Sequence, residues 1–307
     1  MRFSTFRARL KPWILPLAMV CGMLFHTAIE SVQFLAPYLI FTMLFITFCR
    51  LHPGEFRIGR LTAAVVGVQL AGAVAVYLAC LPLGDDAAQG AMICILCPTA
   101  TAAPVITALL GGSISTLIAI SLLSNLATAI AAPAFFALIN PEASISFTAL
   151  FLSILAKVGP MILAPLLLAL LLNYAAPRLH DRIASFQPLS FYLWAVSLII
   201  VVGRAVSFAM HEPPDRIPEM IALALLAGAV CIAQFYIGRR LGARMGDKIA
   251  GAQGLGQKNT VLAVWMAISF LNPVSSIAPA AYIAWQNSIN SLQLYLKTRR
   301  EAEPNRL

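Results

Sequence analysis

"CPTATAAPV" (residues 97–105) and "GLGQKNTVLA" (residues 254–263) each interrupt a long apolar run. A membrane-spanning helix has no routine use for two prolines and paired threonines, nor for a lysine set between glutamine and asparagine. Pro98 and Pro104 cannot donate backbone hydrogen bonds and crowd the preceding turn, while Gly254 and Gly256 loosen the backbone at the second site. Each run is expected to open into two half-helices. Backbone groups freed in this way cannot face lipid and are tolerated only where protein or a watery cavity satisfies them. Helix ends also carry partial charge: a positive end suits an anion and a negative end a cation.

The rest of the chain fits a membrane setting. Hydrophobic residues make up 60% of the 307 and charged residues 11%, against roughly 25% charged in soluble domains. At about 20 residues per crossing, ten apolar spans are expected, near 13–29, 33–49, 61–80, 87–110, 113–139, 145–174, 189–210, 217–237, 249–271 and 275–295. The first follows Arg2, Arg7, Arg9 and Lys11 like a signal peptide, but the second follows within a few residues, so it reads as an uncleaved helix. No room remains for a soluble domain, and residues 1–307 read as one transmembrane unit with short tails.

Basic residues alternate with these spans. Four precede span 1, three lie between spans 2 and 3, two between 6 and 7, four between 8 and 9, and four follow span 10, whereas the opposite connections hold only Arg216. The positive-inside rule then puts both termini in the cytoplasm, in a multi-pass protein of the cell (inner) membrane. The net charge of +9 is explained by this anchoring, which argues against nucleic acid as a partner. Five spans end near Asn140 and five follow, so any repeat, approximately 13–140 and 145–295, is an inverted one. The interrupted spans are the fourth of each half. Broken segments at matching positions of two halves point to a transporter's binding site. The expected fold is therefore all-α and polytopic, ten helices in a 5+5 inverted repeat with interrupted, crossing helices 4 and 9.

The spans contain no carboxylate: all twelve acidic residues fall in loops, tails or span ends. Three bases do lie within spans, Lys157, Arg204 and Lys258. The first two are placed to snorkel toward a surface. Lys258 sits inside the second break, and a cavity with a cation and no anion suits an anionic guest. The six cysteines lie in or beside spans, and Cys94 and Cys97, lacking a second ligand pair, read as small fillers. No phosphate-binding loop is present, which disfavours transport driven directly by ATP; no enzymatic activity is indicated.

These residues resemble the bile acid:sodium symporters. "CPTATAAPV" is similar to that family's C-P-G-G-T-A-S-N-V in span 4, "GLGQKN" to its E-x-G-x-Q-N in span 9, and "WQNSIN" (285–290) to its W-H-N-x-S-G in span 10. The resemblance implies a core of spans 3, 4, 5, 8, 9 and 10 against a panel of spans 1, 2, 6 and 7. It also implies two sodium ions at the crossing, but the matching serine and asparagine are Ala103 and Pro104, the glutamate is Gly254, and the glutamine is Lys258. Gln69, Ser124 and Thr128 match the remaining ligand positions, so the sodium sites read as degenerate. Thr101, Asn259 and Asn287 match substrate-facing positions and Gln286 replaces a histidine. The candidate substrate-binding set is Thr99, Thr101, Pro104, Gln257, Lys258, Asn259, Gln286 and Asn287.

The expected function is secondary active transport of an organic anion, bile-acid-like or a smaller carboxylate, by alternating access. No cofactor and no protein partner is inferred; substrate and bilayer are the partners, and sodium or the proton stands as the coupling ion. One alternative keeps sodium coupling through one weak site. Others are a cation/proton antiporter, disfavoured by the lack of intramembrane carboxylates, and a non-transporting membrane sensor, which flux into proteoliposomes would distinguish.

Overall fold

Gly59 precedes a mostly apolar sequence that forms a helix from Arg60 to Cys80, and comparable runs build nearly everything else. The computed structural model describes residues 14–49, 58–100, 103–139, 147–211 and 213–302. Its helices are α1 (Ile14–Leu24), α2 (Ala36–Phe48), α3 (Arg60–Cys80), α4 (Asp85–Leu96), α5 (Ala103–Leu110), α6 (Ile114–Ile139) and α7 (Phe147–Ala175), then α8 (Pro177–Ser185), α9 (Gln187–His211), α10 (Ile217–Arg244), α11 (Lys248–Gly256), α12 (Thr260–Phe270) and α13 (Ile277–Ala302). Among the described residues, the stretches Ser31–Phe48, Arg60–Leu83, Ile114–Ile139 and Pro214–Arg244 are long and apolar enough to cross a membrane. Shorter apolar helices accompany them, including Thr260–Phe270.

The two interrupted runs are each divided: α4 and α5 flank the first break, α11 and α12 the second. The connection between the sixth and seventh apolar runs holds α8, which buries His180; its polar sequence gives no span signal. Helix α10 continues to Arg244, about two turns past the expected end, because its last segment packs on α11 instead of ending at a loop.

Helix α9 packs mainly on α1 and α2, and α2 also on α7; α7 in turn lies chiefly along α6, which with α3, α4, α10, α11 and α13 forms a second group around the breaks. Small residues set the closest approaches. Gly238 of α10 lies against the Gly251 carbonyl of α11, and Gly242 against the Asp247 carbonyl, with no room for a side chain at either position. Ring contacts are nearly as tight: a Cβ on Gly256 would meet the Phe235 ring at 2.5 Å and one on Gly228 the Trp285 ring at 2.6 Å. Trp285 is anchored there by its indole N–H, which donates to the Ala224 carbonyl at 2.9 Å.

Connections are tied as well. Asp247 caps α11, accepting from the Ile249 and Ala250 amides at 3.0 and 2.8 Å, and its other oxygen accepts from Ser113 N at 2.7 Å. That links the α10–α11 turn to the α5–α6 turn. At the opposite end of α4, buried Asp86 meets Arg216 at 3.5 Å. The single base on the sparsely charged side of the sequence thus has a structural partner.

Candidate crossing site

The breaks meet each other. Residues 97–100 leave α4 as extended chain, and Thr99 pairs antiparallel with Lys258 as an isolated bridge. Ala100 N donates to the Gln257 carbonyl at 2.9 Å and Asn259 N to the Pro98 carbonyl at 2.8 Å. Pro98 lies in this extended segment, whereas Pro104 is the second residue of α5. In a helix's first turn a proline costs little, because the missing N–H has no partner there anyway. Pro98 is therefore the residue that excludes helix through the break, and Pro104 fits the restart.

A broken helix exposes the carbonyls of its last turn, and nearly every one here finds a donor from elsewhere in the chain. At the end of α4, Cys94 O accepts from Gln234 Nε2 at 3.2 Å and Ile95 O from the Lys258 ammonium at 2.8 Å. Leu96 O accepts from Gln69 Nε2 at 2.8 Å and Thr128 Oγ1 at 2.9 Å, and Cys97 O from Gln69 Nε2 at 3.3 Å. At the end of α11, Gly254 O accepts from Thr99 Oγ1 at 2.7 Å and Gly256 O from Tyr282 OH at 2.7 Å. Cys97 also engages, its thiol donating to the Asn259 carbonyl at 2.8 Å.

Lys258 is 1% exposed. Its ammonium lies on the carbonyl end of α4, where the helix dipole is negative, and its backbone N–H donates to Gln286 Oε1 at 2.9 Å. Gln69, Ser124 and Thr128 are brought together at the next carbonyls of the break, Leu96 O and Cys97 O. Ser124 Oγ donates to Gln69 Oε1 at 2.6 Å and accepts from Thr99 N at 3.1 Å; Gln69 Nε2 also reaches Thr128 Oγ1 at 3.2 Å. Because Nε2 faces two backbone carbonyls, which only accept, the amide must turn its N–H groups toward them. Donors therefore occupy the space around the oxygens that would have to face a cation.

Asn259 caps α12, its side-chain oxygen accepting from Leu262 N at 3.3 Å. Its Nδ2 is left buried without a partner, as are Gln257 Oε1, Thr260 Oγ1 and Gln286 Nε2. Pro104 is buried and Asn287 part-buried on α13. Thr101 lies outside the described residues, as does the side chain of Lys157. The sequence patterns missed Cys97, Tyr282, Gln234, Gln253 and Asn290, which join the polar network around the breaks. Only their polarity or small size within apolar runs marked them.

The sequence model of the Sodium Bile acid symporter family matches residues 18–212, more than half of the chain. The chain belongs to this family. Its members are transporters, so this is a multi-pass membrane protein of a transport family and not of an enzyme family. The matched region includes the first break, Gln69, Ser124 and Thr128, and ends before α10, so the symporter-family match does not extend to Lys258. No curated protein matches the chain.

Proposed function

We propose that this symporter-family protein is a secondary transporter of an organic anion, working by alternating access without bound sodium. The observation that carries the reading is the Lys258 ammonium on Ile95 O at 2.8 Å. A tethered positive charge rests on the negative end of a half-helix, where a free cation would otherwise be held. Nearby, Gln69, Ser124 and Thr128 are bonded to one another, Gln69 and Thr128 also to the carbonyls, and the sequence has no carboxylate within a span to balance an added ion. The anion is received by the positive ends of α5 and α12 together with Asn259 Nδ2, with Thr99, Thr101, Pro104, Gln257, Gln286 and Asn287 around them.

The same reading takes the helices as ten spans in a 5+5 inverted repeat within one transmembrane domain. Helices α4–α5 and α11–α12 are the fourth spans of their halves, and both termini are cytoplasmic in the inner membrane. Helices α1, α2, α7 and α9 form the panel against which the rest moves. The convergence of Gln69, Ser124 and Thr128 favours one second reading, a single weak sodium site formed when those side chains release the carbonyls. Uptake of organic acids into proteoliposomes separates the two. Equal flux with sodium replaced by choline is expected, and a steep sodium requirement would overturn the proposal in favour of the second reading.

A further inference from the structure

One face of α13 carries Tyr282, Gln286, Asn290, Gln293 and Lys297, each three or four residues from the last. That spacing stacks them along the helix over about 22 Å. Tyr282, Gln286 and Asn290 are 0%, 0% and 4% exposed, so this polar stripe looks inward. Facing it are Gln253 of α11 and Gln257 just past the end of that helix, both buried. Two rungs join α13 to α11 and to the break after it: Gln253 Nε2 donates to Asn290 Oδ1 at 3.0 Å, and Lys258 N to Gln286 Oε1 at 2.9 Å. Gln253 Nε2 also reaches Gln293 Oε1 at 3.2 Å.

Four amide atoms in this seam are unmet. Gln253 Oε1 on α11, Gln257 Oε1 just past it, and Gln286 Nε2 and Asn290 Nδ2 on α13 are enclosed without partners. The hydroxyl of Thr107 on α5, a helix packed on both, is in the same condition. Buried polar atoms in native proteins are met by protein or by ordered water. The composition of the unmet set selects its occupant. An anion would answer the two N–H donors and be repelled by the two carbonyl oxygens; a metal ion would do the reverse. A small uncharged molecule that both donates and accepts answers all four, and water is the smallest molecule with that chemistry.

We propose that the α11–α13 seam holds a file of bound water running from the crossing to the rim at Lys297. The rim is fixed by Lys297 Nζ donating to Leu109 O at 2.9 Å and by the Asp247 link to Ser113. Through the file, solvent reaches the crossing from the basic end of the protein, independently of which anion is carried or whether sodium takes part.

Hydrogen–deuterium exchange of the full chain in nanodiscs, read on peptides covering residues 253–263, tests this. The backbone amides of Gln257 to Thr260 are expected to exchange in the wild type. In Gln253→Leu/Asn290→Leu, which replaces the amides with apolar groups of similar size, exchange should slow at least tenfold while α3 peptides are unchanged. Equal rates in both proteins, or full protection of the crossing in the wild type, would overturn the proposal. If the double variant does not fold, an Asn290→Cys variant serves instead. A small water-soluble methanethiosulfonate added to the basic side of oriented vesicles should label it above the wild-type background of buried native cysteines. Labelling no greater than background overturns the proposal equally.

Discussion

Replacing Lys258 by methionine keeps the side chain out to Cε and removes the charged nitrogen. Two effects on stability oppose each other. Ile95 O loses the ammonium that it accepts from at 2.8 Å, at a cost of about 1–3 kcal/mol for an unmet buried carbonyl. The desolvation penalty of a buried ammonium, several kcal/mol, is relieved at the same time. Thermal midpoint should therefore move by only a few degrees, since about 1 kcal/mol corresponds to roughly 2–4 °C at this size or somewhat smaller. Anion affinity has no such compensation. For a carboxylate held about 6 Å from the ammonium at an effective dielectric of about 20, the attraction is about 3 kcal/mol, or roughly a hundredfold in affinity. The hypothesis is tested by calorimetric titration of organic acids into the detergent-solubilised variant, with midpoint measured in parallel. A normal midpoint with affinity within twofold of wild type would refute the reasoning, because the charge would then be irrelevant to the guest. Lys258→Arg is the companion variant: it retains the charge and should hold more affinity than Lys258→Met even if its bulk lowers the midpoint.

Two further outcomes are expected. Gly238→Ala pushes a methyl group into the Gly251 carbonyl and should destabilise by about 1–3 kcal/mol, whereas Gly67→Ala, with nothing within 4 Å, should be neutral or stabilising; similar midpoints for both would refute the close α10–α11 packing. Asn259→Asp keeps the cap on α12 and should leave the midpoint near wild type while abolishing anion binding by adding a negative charge. Asn259→Ala should lower stability by about 1 kcal/mol through the lost cap, and anion binding by the Asp variant at wild-type strength would remove Asn259 from the site.

The apolar runs, the two breaks and the isolation of Lys258 were legible because each is written in consecutive residues: proline, glycine and a charge stand out against leucine and alanine. Partners were not. Nothing local ties Thr99 to Gly254, 155 positions on, or Lys258 to Ile95, 163 positions back. Pro104 shows the limit of local reading, since two prolines in one break look equivalent until one proves to sit in the extended chain and the other in the first turn of a helix. Thr107, Gln253 and Asn290 were overlooked for a related reason. A lone amide or hydroxyl in an apolar helix gains meaning only when the helix across from it is known, and α8 escaped because its polar sequence has no span-like stretch.

The bridge between Thr99 and Lys258 also sets an order of events during synthesis. When α4 first enters the bilayer, Ile95 and Pro98 have carbonyls whose eventual donors lie in residues 258 and 259, not yet made. Gln69 is already present and Thr128 follows soon after, so Leu96 can be served early, but the break cannot close until α11 and the start of α12 emerge. Over that interval the first broken helix depends on water, on the insertion machinery or on transient helical pairing to cover those groups. Nascent chains stopped at residue 240 are thus expected to expose α4 to proteolysis, and chains extended past residue 270 to protect it; equal protection of both would show that the early segment closes on its own. Biogenesis, more than the finished fold, is where a membrane protein with so late a partner is exposed to failure.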